Sequence, residues 1–574
     1  MNNKVASSEI ERTYNLVRDR LLAEKDDRSY WTGRLSASAL STATAVSALS
    51  LADPTRHATR IVRALDWLAK AQNPDGGWGD TTRSQSNLPT TCLALAAFTI
   101  ANQSQAACPE KARAYIHRAG GFDEIVAIYG SDRTFSAPIL TNLAIGNLIG
   151  WEECPSLPFH LAALPPTLFR HLGLRVVSYA LPALIAVGMA QFVNMKNQNP
   201  LMRLVKVLSI RPALKHLERI TPESGGFLEA TPITCFVAMN LIAAGRRDHP
   251  VVRKNVEFLC REQNADGSWK IERDLSVWLT TLSVKALGGG DAATRDWLLA
   301  GQGRTVHPYV GSAPGAWGWT NASGSVPDAD DTSGALLALA LLPSSVETIR
   351  AAVRGIQWLL DLQNAGGGWP TFCRGWQKLP FDRSCADITA HAIRALSTWR
   401  SAAGSDMAKR IEDAVRKGLA FLQASQAPDG SWAPLWFGNE AAPGEANPVY
   451  GTSRVLLAYA DLSRTGDPAA QKGFRFLLHA QNADGGWGGA SGIEGSIEET
   501  ALACEALCGI HDEKAAVQLD KGLAWLCNAI AEGGLDCPAP IGFYFAKLWY
   551  FEKLYPIIFA ASALRRALER KRKP

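Results

Sequence analysis

The sequence predicts an all-α fold built from repeated helical hairpins, on three observations. Its long segments are rich in Ala and Leu, with apolar residues at three and four spacing, as in Arg60 to Ala71, Val251 to Glu262, Val346 to Leu362, Ile411 to Ser425 and Ala501 to Leu507. No train of alternating apolar and polar residues reads as a sheet. One turn recurs along the chain: an aromatic-Leu pair, then Gln, then Asn or Asp with Gly, then Trp. Hairpins repeated in this way close into a toroid of inner and outer helices.

Met1-Asn2-Asn3-Lys4 opens a polar amphipathic segment without a hydrophobic signal region, so export is not expected. The first copy of the turn is Trp67-Leu68 with Gln72-Asn73-Pro74-Asp75-Gly76-Gly77-Trp78. An apolar run follows from Val176 to Ala190, broken by Pro182 and flanked by Arg170, Arg175 and Lys196; it is too short to span a bilayer and suits either buried core or one-sided membrane contact. Further copies are Phe258-Leu259 with Gln263 to Trp269, Trp358-Leu359 with Gln363 to Trp369, Phe421-Leu422 with Gln426 to Trp432, and Phe476-Leu477 with Gln481 to Trp487. A weakened copy at Trp525-Leu526 has lost the Gln and the final Trp. In each, the aromatic-Leu pair anchors a helix end and Gln is placed to hydrogen-bond amides exposed on the next helix. Asn/Asp-Gly turns the chain, and Trp packs over it. The basic tail from Arg565 to Lys573 reads as a solvated end or as a contact for anionic headgroups.

A chain of 574 residues has room for two or three domains and a deep cavity. Its net charge of +5, from 59 basic and 54 acidic residues, leaves no electrostatic footprint for nucleic acid outside that tail. The 11 cysteines are scattered, with no CxxC pair and no metal-like spacing to His, which argues against a disulfide framework and against a metal site. Cys504 and Cys508, one turn apart, read as small apolar packing.

Chemistry concentrates in Val326-Pro327-Asp328-Ala329-Asp330-Asp331-Thr332. Three carboxylates this close repel one another, so at least one should keep its proton near neutral pH in a poorly hydrated site. The bland reading is an Asp capping the helix that begins at Thr332-Ser333-Gly334. Both roles can coexist.

The repeats resemble the QW motifs of the squalene-hopene cyclase and oxidosqualene cyclase family, and Asp328-Ala329-Asp330-Asp331, flanked by Pro327 and Thr332, resembles the DxDD motif of class II terpene cyclases. The likeness covers most of the chain and is strongest from Asn264 to Pro556. It implies two α/α-barrel domains, residues 31–275 and residues 1–30 with 276–574, and a central cavity between them. It also implies a membrane-contact segment at 165–200, peripheral attachment to the cytoplasmic side of a membrane, and no nucleic-acid partner; it admits a homodimer. Of the three carboxyls, the resemblance gives the proton to Asp330, with Asp328 and Asp331 in support.

By the same likeness the cavity is lined by Trp278, Trp319, Phe372, Trp436, Phe543, Tyr544, Trp549 and Tyr550, with Val277 and Phe372 standing where the family carries Pro and Tyr. Aromatic faces stabilise carbocations without attacking them. The squalene-type members tune their acid with a His in an Asn-His-Ile-Pro-Phe context. Here that stretch reads Gln377-Lys378-Leu379-Pro380-Phe381, which leaves Lys378 and Arg374, with Arg383, as candidates for the positive charge. Asp387 reads as a helix cap and His391 as a core histidine.

The expected function is protonation of a terminal alkene of a linear polyprenoid, squalene foremost, and cyclisation through carbocations, without a cofactor. A diterpene or sesquiterpene cyclase acting on geranylgeranyl diphosphate or its like, without ionising it, is the alternative. That reading alone would call for Mg2+ and for basic groups such as Arg170 and Arg175. A non-catalytic or prenyltransferase-like toroid is the third reading; it leaves the Asp triplet unexplained.

Overall fold

The structure is a computed structural model that describes residues 6–103, 107–130, 133–164, 180–195, 199–374, 377, 379–544 and 547–572. Two kinds of helix alternate along the chain. Helices such as Ala39–Ala52, Ser276–Leu287 and Ile497–Leu507 are buried on almost every side, whereas Ala58–Ala71, Val346–Leu362 and Pro468–Ala480 bury one stripe and expose the other. The first kind forms inner walls and the second an outer layer.

Six inner helices close one barrel: Ser276–Leu287, Ala329–Leu341, Ala386–Trp399, Pro448–Asp461, Ile497–Leu507 and Tyr555–Arg572, each packed on the next and the last on the first. The N-terminal helix Ser7–Ala23 packs on Tyr555–Arg572 and completes this barrel's outer layer. Between them, inner helices Ala39–Ala52, Leu88–Ile100, Arg133–Ile145, Leu181–Asn194 and Thr231–Ala243 form the wall of a second ring, so the fold is all-α with two α/α barrels. Ala37–Ser38 pairs with Trp269–Lys270 within the second ring, and Leu35 bridges across to Glu552 beside the last helix of the other barrel.

The repeat turns hold outer to inner layer through three recurring bonds. The Trp indole donates to the Leu carbonyl that ends the preceding outer helix, as from Trp78 to Leu68, Trp369 to Leu359 and Trp487 to Leu477, each at 2.8 Å. The Gln amide donates back to its own turn and across to a carbonyl of the neighbouring outer helix, as from Gln363 to Gly367 and Ala414. Gln therefore pairs with carbonyls, not with the amides expected from sequence, because its NH2 end faces the wall of the neighbouring helix and not its N-terminus. Finally, the Trp backbone N–H is received by a Thr of an inner helix: Thr91, Thr332, Thr389, Thr452 and Thr500, at 2.9–3.1 Å. The glycine before the motif's last pair is obligatory at Gly367, where φ is +90° and a Cβ would lie 2.3 Å from the Lys417 carbonyl oxygen.

Two copies lie outside the sequence pattern. Gln302 bonds Gly315 and Ala351 while Trp317 donates to Leu298, a stretched repeat, and Trp31 donates to Leu21 and to Thr280 without any Gln. The described part of the basic tail is the end of Tyr555–Arg572, where Arg565 donates to the carbonyls of Ala286 and Lys285 and Arg570 to those of Leu507 and Cys508, while Lys571 and Arg572 are exposed; Lys573 lies outside the described residues. Helix Leu181–Asn194 buries most of its length, so the described part of the Val176 to Ala190 run is barrel core; Arg170, Arg175 and Lys196 lie outside the described residues.

Candidate active site

Helix Ala329–Leu341 presents the three carboxyls. Its N-cap is Asp328, which accepts the Asp331 N–H at 2.7 Å, so the helix starts three residues earlier than the bland reading placed it and carries Asp330 in its first turn. The neighbouring Thr332 hydroxyl receives the Trp317 N–H, which anchors this turn to a repeat. All three aspartates line a cavity that runs from this helix to the first barrel.

The cavity brings together Trp278, Trp319, Phe372, Trp436, Phe543, Tyr544 and Tyr550. Their rings form a continuous wall: Trp319 to Phe372 at 6.3 Å, Phe372 to Trp436 at 6.0 Å, Trp436 to Tyr544 at 6.0 Å and Tyr544 to Tyr550 at 5.1 Å, mostly edge to face. Trp549 is the exception among the eight aromatics. Gly542–Tyr544 and Leu548–Tyr550 form a hairpin in which Phe543 pairs with Trp549, and strand alternation sends Tyr544, Leu548 and Tyr550 toward the cavity while Trp549 turns away. There its ring lies 4.5 Å from that of Phe543, and its backbone N–H donates to the Asp80 carboxylate of the first barrel at 2.9 Å.

The partner of Asp330 is His391. Its Nδ1 lies 2.5 Å from Asp330 Oδ1, and its Nε2 lies 3.0 Å from the Lys285 ammonium nitrogen. The expectation of an ordinary core histidine is thus corrected. Inner helix Ala386–Trp399 packs on Ala329–Leu341, and the face that carries Asp387 carries His391 one turn later, opposite the aspartates. Arg374 is exposed and donates weakly to the Asp361 carbonyl, away from the triad, because the loop that bears it faces solvent. Lys378 lies outside the described residues.

The three carboxyls are pushed apart electrostatically. Burial raises Asp328 to about 7, against hydrogen bonds from Asp331 and with the Asp330 charge adding to it, and burial drives Asp331 well above the usual carboxylate range, with the charges of Asp328 and Asp330 adding. The Asp328 and Asp331 side chains are hydrogen-bonded to each other, which requires a proton on one of the two carboxyls. Burial pushes Asp330 up as well, but His391, Arg454 and Lys285 outweigh it and hold this carboxyl below the ordinary range. About 21% of its side chain is open, on the cavity side. The site thus contains one carboxyl whose conjugate base is stabilised by cations, flanked by a coupled pair whose ionisation burial opposes. Among the described residues the remaining charged group of the wall is Glu272, raised to about 8 chiefly by burial.

Residues 15–217 match the squalene-hopene cyclase N-terminal domain and residues 275–569 the squalene-hopene cyclase C-terminal domain. The chain is 29% identical over 455 residues to a terpene cyclase-glycosyl transferase fusion protein of Humicola fuscoatra; the match covers 67% of this chain and 33% of that one, so the chain spans about a third of that relative's length. It is 25% identical over 516 residues, 88% of either chain, to a copalyl diphosphate synthase of Streptomyces cyslabdanicus. Among solved structures, the ent-copalyl diphosphate synthase from Streptomyces platensis aligns with a TM-score of 0.60 at 20% identity, over 97% of this chain and 99% of that one, which is a likeness of fold.

Proposed function

The chain belongs to the squalene-hopene cyclase family of class II terpene cyclases, and on that premise we propose that it cyclises a linear polyprenoid hydrocarbon, squalene foremost, with Asp330 as the acid. The observation that carries the reading is the open side of Asp330 facing an aromatic cavity while its other oxygen is held by His391. In the first step the O–H bond of Asp330 breaks and its proton adds to the terminal alkene, leaving a tertiary cation. Neighbouring double bonds then attack in turn, each forming a C–C bond and passing the charge along. Loss of a proton or capture of water ends the cascade. The ring wall from Trp319 to Tyr550 lowers the energy of the travelling charge, by about 0.5–2 kcal/mol for each well-placed face, and the dry cavity delays quenching.

A hydrocarbon suits the described wall, which is mostly apolar and has no Lys or Arg among the described residues to pair with a diphosphate. The second reading, geranylgeranyl diphosphate cyclised with its diphosphate intact, is favoured by the end-to-end match to the copalyl diphosphate synthase. Incubating the solubilised protein with squalene, oxidosqualene, farnesyl diphosphate and geranylgeranyl diphosphate in separate reactions, the diphosphates with Mg2+, and identifying products by mass spectrometry decides between them. Cyclised squalene is the expected result; turnover of a diphosphate alone selects the second reading, and no cyclised product from any of the four sinks both.

Peripheral attachment to the cytoplasmic face of a membrane is part of the same proposal. Among the described residues no helix is long and apolar enough to cross a bilayer. The outer helix Pro200–Ile220, however, exposes Leu201, Met202, Leu204, Val205, Val207 and Leu208, from 39% for Val205 to 70% for Leu201, with Arg203 and Lys206 between them. Leu201→Asp with Leu208→Asp is expected to cut flotation with anionic vesicles at least tenfold, burial of two Leu side chains being worth about 3–6 kcal/mol. Unchanged flotation of the double variant would remove this helix from the membrane face.

A further inference from the structure

Helix Ser276–Leu287 carries one charged residue, Lys285, in an otherwise apolar and hydroxyl-bearing sequence. A lone lysine aimed into a barrel wall costs several kcal/mol unless it is partnered. Its nitrogen lies 3.0 Å from His391 Nε2 and 5.9 Å from the centre of the Trp278 ring, itself a cavity residue. The groups facing it come from every neighbouring inner helix: Asp330, His391 with Arg394, Arg454 and Glu505. Arg565 of the last helix takes the Lys285 backbone carbonyl. Arg394 has its own partner in Asp461 at 2.6 Å, and Arg454 lies over the Tyr450 ring.

We propose that Lys285 is a positioning residue for the acid: by pairing with Nε2 of His391 it fixes the ring with Nδ1–H toward Asp330 and shares a single positive charge with it. The chemistry allows two placements of that charge. An ammonium at Lys285 can only donate, so Nε2 must accept and the ring proton must sit on Nδ1. If the proton moves to His391, the neutral amine accepts from Nε2–H and Nδ1–H still points at Asp330. Arg454 and Arg394, with burial, disfavour a second charge in this space, and both Lys285 and His391 are held below their ordinary ranges. In either placement the conjugate base of Asp330 receives the same hydrogen bond. A histidine without this partner would be free to take the Nε2–H tautomer and present a lone pair to Asp330, which would weaken the acid.

The inference rests on Asp330 being the acid, and the test separates the two. The full-length protein labelled with 15N-histidine, with His391→Gln used for assignment, reports the ring tautomer without any substrate. Lys285→Met, which replaces the amine with an apolar group of similar length, is expected to shift the His391 ring signals away from the Nδ1–H state, while Lys285→Gln, which can still donate to Nε2, keeps them. Unaltered His391 signals in Lys285→Met would overturn the proposal whatever the substrate is. With the substrate that the wild type turns over, kcat should fall about 100-fold for Met and about tenfold for Gln, hydrogen bonds to charged groups being of that worth. KM should stay within threefold and the pH dependence of kcat should move. The melting temperature of Lys285→Met should hold or rise, because exchanging a buried charge for a well-packed apolar group is often neutral or stabilising. A fall in kcat that simply follows a lower melting temperature, with an unchanged pH profile, would also overturn it.

Discussion

Asp330→Asn is expected to lower kcat by at least about 10³-fold, at the upper end of what a single acid contributes because no other group faces the alkene in the same relation. The substitution removes the transferable proton and little else: Asn Oδ1 still accepts from His391, and the residue keeps its place in the first turn of Ala329–Leu341. Asp328→Asn and Asp331→Asn are the comparison. Both carboxyls are raised by burial toward the neutral form, which an amide imitates, and Asn is as good an N-cap as Asp at position 328. Their losses are expected near tenfold. Single-turnover rates of the three variants test the assignment; Asp330→Asn within tenfold of the wild type, or Asp331→Asn as damaged as Asp330→Asn, would move the acid elsewhere. A carboxyl held below its ordinary range is a strong acid but an infrequently protonated one, so the wild-type rate should climb as pH is lowered toward the carboxylate range.

What could be read from the sequence was what is local in it. The Asp triplet, the repeat turns and the all-α class are contiguous patterns, and each survives translation into three dimensions. The acid's surroundings are not local. His391 and Lys285 sit on helices Ala386–Trp399 and Ser276–Leu287, which flank Ala329–Leu341 only once the barrel closes. Two signals were nonetheless present: the four-residue spacing of Asp387 and His391, which puts both on one helix face, and a single lysine in an apolar inner-wall sequence. The stretched repeat at Gln302 and Trp317 escaped because its turn is longer than the others. Trp549 belongs to an aromatic stretch whose likeness to the family points to one cavity wall, whereas the hairpin's period of two divides that stretch between the cavity and the contact with the other barrel.

Trp369→Ala should destabilise the protein by about 3–5 kcal/mol, the cost of emptying a buried Trp site. Trp369 is fully buried, its indole donates to the Leu359 carbonyl at the end of one helix, and its backbone N–H goes to Thr389 near the start of the next inner helix. Its ring also approaches Gly418 on the outer helix Ser405–Ala424, where a Cβ would come within 3.0 Å of it. One residue therefore ties three helices, two through its ring and the one that bears His391 through its backbone N–H. Trp369→Phe, which keeps most of the volume and loses the indole bond, should cost less, about 1–2 kcal/mol. Urea unfolding followed by Trp fluorescence measures both, read from the midpoint of the first transition. Trp78→Ala provides the contrast, since it removes the same indole bond, to the Leu68 carbonyl, in the other barrel and likewise leaves the backbone bond to Thr91 in place. If the repeats are both staples and alignment devices, Trp369→Ala under folding conditions should also lower kcat, because Thr389 and His391 share a helix turn, while Trp78→Ala at equal folded fraction should not. Equal kcat in the two variants would reduce the repeats to stability alone and leave the placement of His391 to its own helix packing.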